Sequence, residues 1–179
     1  MSLLLAQLEQ LKINQTLVDL YRAYDHDHPI LGVVNDYNED FVYLVTISEQ
    51  GLQSGISIIQ TDAITYIKWE GNTNHAIATL MAQKQTTIVA PNFDLSSWPA
   101  IINSVQFRYN YVTLQTEAMD ETLLFIGQVE DIDEDFILMN EHGTLASPKP
   151  RKLLLDLEEI TRVTADTDYE KDIAYLSKE

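Results

Sequence analysis

The sequence predicts a mainly β chain with short helices, an α+β protein assembled from two copies of one unit. Three observations carry that expectation. Short runs in which β-branched and aromatic residues alternate with polar ones recur along the chain. Apolar residues at helical spacing bracket those runs. The segment Leu31-Gly32-Val33-Val34-Asn35-Asp36-Tyr37-Asn38-Glu39-Asp40-Phe41-Val42 returns as Ile126-Gly127-Gln128-Val129-Glu130-Asp131-Ile132-Asp133-Glu134-Asp135-Phe136-Ile137, 95 residues on. Downstream, Asp62 to Ile67 matches Glu158 to Val163, and Ile77 and Leu80 match Ile173 and Leu176, now 96 residues apart. The expected domains are a first unit over 1–83, a connector over 84–93 and a second unit over 94–179.

Each unit is expected to open with a short helix. Leu4, Leu8 and Leu11 in the first copy, and Trp98, Ile102 and Val105 in the second, share a helical face, with Ser2 and Ser97 placed as N-caps. Two strands follow, over 16–23 and 29–35 in the first copy and over 109–117 and 123–130 in the second. The acidic runs 35–40 and 130–135 read as hairpin turns, after which Phe41 to Val45 and Phe136 to Met139 resume the apolar pattern. Polar segments with Gly51 and Gly55, or with Gly143, Pro148 and Pro150, lead to fourth strands (56–60; 152–156) and fifth strands (63–68; 159–164). A closing helix ends each unit. Within the connector, Thr86 to Val89 is a candidate extra strand.

The chain has 179 residues, 28 acidic and 11 basic, for a formal net charge of −17. An apolar fraction of 45% is enough to offset chain entropy, so the composition is that of a folded protein. The charge repels phosphate backbones and anionic lipid, which disfavours nonspecific nucleic-acid and membrane binding. With no Cys there is no disulfide framework, thiolate metal site or cysteine nucleophile, which fits a reducing compartment, and cytoplasmic location is expected. The opening Met1 to Ala6 lacks a basic leader and its apolar run stops at Gln7, so neither a secretory signal nor a span is expected there.

A helix followed by five short, bent antiparallel strands, with Gly inside the second, resembles the Sm-like family of small β-barrels. Gly suits a tightly curved strand where backbones approach closely. The nearest local match is Val112-Thr113-Leu114, Gly127-Gln128-Val129 and Met139-Asn140. The resemblance implies two tandem five-stranded barrels, each with an N-terminal and a closing helix, and units that pair edge strands, fourth to fifth, into rings. It also implies an RNA site made of an Asp-x-aromatic-Met-Asn turn and an Arg-Gly between strands four and five. The sequence departs from both: Leu44-Val45 stands in place of Met-Asn in the first copy, and Gln60-Thr61 and Asp156-Leu157 stand in place of Arg-Gly. An Asp in place of a cation repels phosphate, so the inherited RNA site is expected to be lost.

Asp25-His26-Asp27-His28 is the most metal-like stretch, because His26 and His28 share a face if the chain is extended there. With Pro29 next, a polar loop is the expected structure. Asp131 and Asp133 alternate like the start of a calcium loop, but Phe136 and His142 occupy the positions that need Gly and Glu, so a solvated turn is expected. No metal, cofactor or catalytic residue is therefore assigned. Lys149, Arg151 and Lys152 form the basic cluster, expected in the loop before the fourth strand, where they neutralise local acid or touch phosphate.

These features predict a non-enzymatic, acidic interaction or scaffold protein that works through a protein partner or self-association, with a homo-oligomer as one form. One alternative is RNA contact through the second copy, using Met139, Asn140, Lys149, Arg151 and Lys152. The other is an acidic nucleic-acid mimic that occupies a basic protein.

Overall fold

Ser2 and Ser97 sit in extended backbone just before the two apolar helical runs, and their hydroxyl oxygens accept from the amides of Leu5 and Ala100, each at 3.3 Å. These caps start α1 (Leu3–Ile13) and α3 (Trp98–Tyr109) in a computed structural model that describes residues 2–144 and 149–177. Met1 and Pro148, both used above, lie outside the described residues. The described chain is α+β and divides into two compact units, Met1–Ala90 and Pro91–Glu179.

In the first unit α1 is followed by β1 (Leu17–Arg22), β2 (Asp25–Tyr37), β3 (Phe41–Ile47), β4 (Gln53–Gln60), a single 3-10 turn (Thr61–Ala63), β5 (Ile64–Trp69) and α2 (Asn72–Lys84). The strands lie in the order β5-β1-β2-β3-β4 with antiparallel pairing. The second unit repeats the sequence of elements. After α3 come β6 (Val112–Gln115), β7 (Leu124–Ile132), β8 (Phe136–Glu141), β9 (Arg151–Asp156), a 3-10 turn (Leu157–Glu159), β10 (Arg162–Ala165) and α4 (Asp168–Leu176), with strand order β10-β6-β7-β8-β9. Among the described residues no pairing joins β4 to β5 or β9 to β10, so hydrogen bonding leaves each five-stranded sheet open.

In the first unit, alternation along the strands gives the sheet two buried faces. Val18, Leu20, Val34 and Leu44 pack with Leu8 and Leu11 of α1, whereas Leu17, Val33 and Ile47 pack with Ile77 of α2. The closing helices settle on inner strands, α2 on β1 and α4 on β7.

Two backbone devices recur in both units. A Cβ at Gly32 would collide with the carbonyl oxygen of Val45, and one at Gly127 with that of Asn140, so the close approach of β2 to β3 and of β7 to β8 requires glycine. Two residues beyond each glycine's neighbour, the register slips, between Val34 and Asp36 and again between Val129 and Asp131, leaving Asn35 and Glu130 bulged. Such bulges bend a strand and re-aim a side chain.

Several expectations need adjusting. The strands are mostly longer than periodicity suggested, and β2 begins at Asp25, so Asp25 to His28 is strand and the turn before it is Ala23-Tyr24. In the other direction, β1, β6 and β10 are shorter, β6 because Tyr109 closes α3. Thr86 to Val89 forms no strand. The first strands also match one place out from the expected offset: Val18 opposes Gly32 and Val112 opposes Gly127, which makes Leu17 the counterpart of Tyr111. Arg151 and Lys152 open β9 and do not lie in the loop before it.

Candidate functional site

Four of the five residues singled out for RNA contact, Met139, Asn140, Arg151 and Lys152, lie on β8 and β9, and carboxylates occupy three of them. The bulge at Glu130 sends its side chain across β8, where Oε1 accepts from Asn140 Nδ2 at 2.6 Å and from Lys152 Nζ. These two donors, Lys152 foremost, hold the Glu130 carboxyl below its ordinary range. Arg151 donates through Nε and Nη2 to both carboxylate oxygens of the buried Glu141, a bidentate pair. Met139 is 0% exposed, in the interior position that Leu44 fills in the first unit, so it presents no surface to a base. Lys149 is exposed and apart from the strands.

The metal-type residues serve turns. Asp133 Oδ1 accepts from the amides of Asp135 at 2.8 Å and Phe136 at 2.7 Å, and these bonds lower its pKa. Asn38 makes the same two bonds, to Asp40 at 2.9 Å and Phe41 at 2.7 Å, so the position needs an acceptor and no charge. Asp131 Oδ1 accepts from the amide of Ile132 at 2.9 Å. His26 is exposed. His28 is drawn to Asp25, whose Oδ1 lies 3.1 Å from His28 Nδ1 and accepts from the His28 amide at 2.9 Å, while Oδ2 accepts from the buried Arg22 at 3.2 Å. Burial alone would raise the Asp25 pKa, but the His28 bonds and the Arg22 charge together hold it below its ordinary value. Among the described residues no group of three or more His, Asp or Glu is placed to hold a metal ion.

The sequence reading passed over a cleft of about 350 Å³ in the second unit, lined by Tyr109, Tyr111, Gln128, His142, Lys171 and Ser177 among others. His142 follows the last residue of β8, and its Nδ1 lies 3.2 Å from the hydroxyl of Ser177, the C-cap of α4. Burial lowers the His142 pKa, leaving a neutral imidazole at pH 7. Gln128 donates to the Asn110 carbonyl at 3.0 Å, and Tyr111 Oη accepts from the Asp166 amide at 3.0 Å. Burial pushes Tyr109 up to about 12 and raises Tyr111 as well, so both phenols stay protonated. The available signal was a position-by-position comparison of the two halves, in which polar residues stand opposite apolar ones. No family model matches the chain, and no curated protein or solved structure matches it either.

Proposed function

We propose that the chain is a non-enzymatic, acidic interaction or scaffold protein made of two diverged Sm-like barrels that associates through edge strands. The observation that carries this reading is the strand order. In each unit the fourth and fifth strands stand at opposite ends of that unit's own sheet, as the fourth-to-fifth pairing implied by the resemblance requires. β5 and β9 are each paired along one side only, with β1 and with β8. An edge of this kind offers a row of backbone donors and acceptors to another chain. On β9, Leu154 is 65% exposed, an apolar residue on an outer strand. The closing helices make their main strand contacts with inner strands, α2 with β1 and α4 with β7. Capture of Asn140 and Lys152 by Glu130, and of Arg151 by Glu141, supports protein contact over RNA contact.

Light scattering at tens of micromolar tests the reading. A mass above the 20.4 kDa of one chain is expected, falling toward one chain in Leu154→Lys, because a charge on an edge strand opposes pairing. A strictly monomeric wild-type protein overturns it. Retention of single-stranded RNA at low salt that fades as salt rises would favour the RNA reading instead.

A further inference from the structure

Each residue of the second-unit cleft can be set against its counterpart in the first unit. In the first unit the corresponding space is filled. Leu17, Val33, Ile47 and Ile77 form a buried apolar cluster there, with Leu31, Met81 and Ile88 packed against it. The backbone fixes the counterparts. Val33 and Gln128 each follow the strand glycine, and Ile47 and His142 each follow the residue opposite that glycine. Leu17 and Tyr111 precede the residues paired with the glycines. Met81 and Ser177 stand ten residues after the N-caps Gly71 and Thr167, at each of which the backbone amide donates to the side chain three residues on, Asn74 or Glu170.

Four members of one apolar cluster are thus replaced by Tyr111, Gln128, His142 and Ser177, and all four replacements line the cleft. Ile77 and Leu31 keep apolar counterparts, Ile173 and Ile126, both buried. These polar groups leave the face open where the first unit is filled, with Gln128 exposed and His142 and Ser177 half-buried. The replacements are also concentrated: the α3 side of the same sheet keeps Val105, Val112, Leu114, Ile137 and Met139 fully buried.

We propose that this cleft binds a small, neutral, planar heteroaromatic molecule, recognised by hydrogen bonds to Gln128, His142 and Ser177 and by contact with the tyrosine rings. The size fits, since about 350 Å³ lies at the small end of the roughly 300–1,000 Å³ of ligand pockets. Tyr109 and Tyr111, with ring centroids 6.4 Å apart, supply apolar π-surface. Neutrality follows from the charges that face the space. Lys171 is spent on Asp166 at 3.2 Å and approaches Asp168 at 4.0 Å, while the imidazole and both phenols are uncharged. An anionic ligand would compete with Asp166 and Asp168 for Lys171, and a cationic one would meet no carboxylate in the lining. His142 and Ser177 do not form a hydrolytic pair: Ser177 Oγ also lies in donating distance of the Ala174 carbonyl, at 3.0 Å, and the imidazole's bonding partner is this hydroxyl and no carboxylate.

The test is an NMR titration of the full chain with adenosine, uridine, nicotinamide and indole, each to 10 mM on the order of weak-site affinities, following the amide and methyl of Ala174 and the Tyr111 ring. Saturable shifts there with at least one probe, without matching shifts at Ala78 in the first unit, are expected. The variant Gln128→Val/His142→Ile/Ser177→Met installs the filling of the first unit, and Ser177→Met alone narrows the cleft should the triple variant not fold. Affinity is expected to fall at least about tenfold in either. The inference is overturned if none of the four probes gives a saturable shift, or if the shifts survive the filling substitutions.

Discussion

Asn38 and Asp133 hold the same hairpin turn with different chemistry, each accepting two backbone amides through one side-chain oxygen. Because the amide serves as well as the carboxylate, Asp133→Asn should leave the denaturation midpoint unchanged, whereas Asp133→Ala should lower it through lost hydrogen bonds. Chemical denaturation of both variants checks this, and equal losses would count against it. At this scale the sequence revealed residue types but not their partners. The acidic run looked like oxygen ligands, and only coordinates show the oxygen of Asp133 turned back on its own backbone. His26 and His28 drew notice for alternation, yet the decisive group beside them is Asp25, bound to an Arg22 whose burial no periodicity indicates. The cleft residues were hidden for a related reason. Gln128 and His142 are ordinary strand residues until they are set against Val33 and Ile47.

Glycine and bulge act together at the scale of the element, since both occur at matching places in β2 and β7. The glycine lets the neighbouring strand come close, and the bulge increases the bend just beyond it. Gly32→Ala and Gly127→Ala should each lower unfolding stability by about 2 kcal/mol or more, because a methyl group would meet a backbone carbonyl that has no freedom to retreat. A loss under about 0.5 kcal/mol at both positions would contradict the close approach. The helix starts at Ser2 and Ser97 and the strand identities were legible in the sequence because caps and alternation are local signals. The acidic runs 35–40 and 130–135, in contrast, turn only over 38–40 and 133–135, their first three residues being strand. Strand ends were not legible. The extension of β2 back to Asp25 depends on pairing between Arg22 and Asp25, and the one-place shift of β6 depends on which residue faces Gly127.

For the whole molecule the dominant quantity is the net charge of −17. Like charges oppose the compact state, so at neutral pH added salt should raise the unfolding temperature by screening them. Acidification from pH 7 toward the isoelectric point near 4.3 removes negative charge and should stabilise at first. His142 opposes this weakly, because its lowered pKa makes protonation less favourable in the fold than in the unfolded chain. Below about pH 4 the sign reverses. Asp25, Asp94, Asp120, Asp133 and Glu130 all have folded pKa values below their unfolded ones. Each stabilises the fold above its unfolded pKa, and that contribution disappears as pH falls through the lowered value. Thermal unfolding across pH 3–8 should therefore peak between about pH 4.5 and 6, and a steady rise from pH 4.5 to 8 would refute the balance.

Redundancy of construction gives this chain room for divergence in chemistry. Four polar side chains exchanged into the only core of a small domain would endanger the entire fold. Confined to one of two like units, they leave the sister interior of Leu17, Val33, Ile47 and Met81 untouched, so the spare copy keeps its filling while the altered one gains an opening.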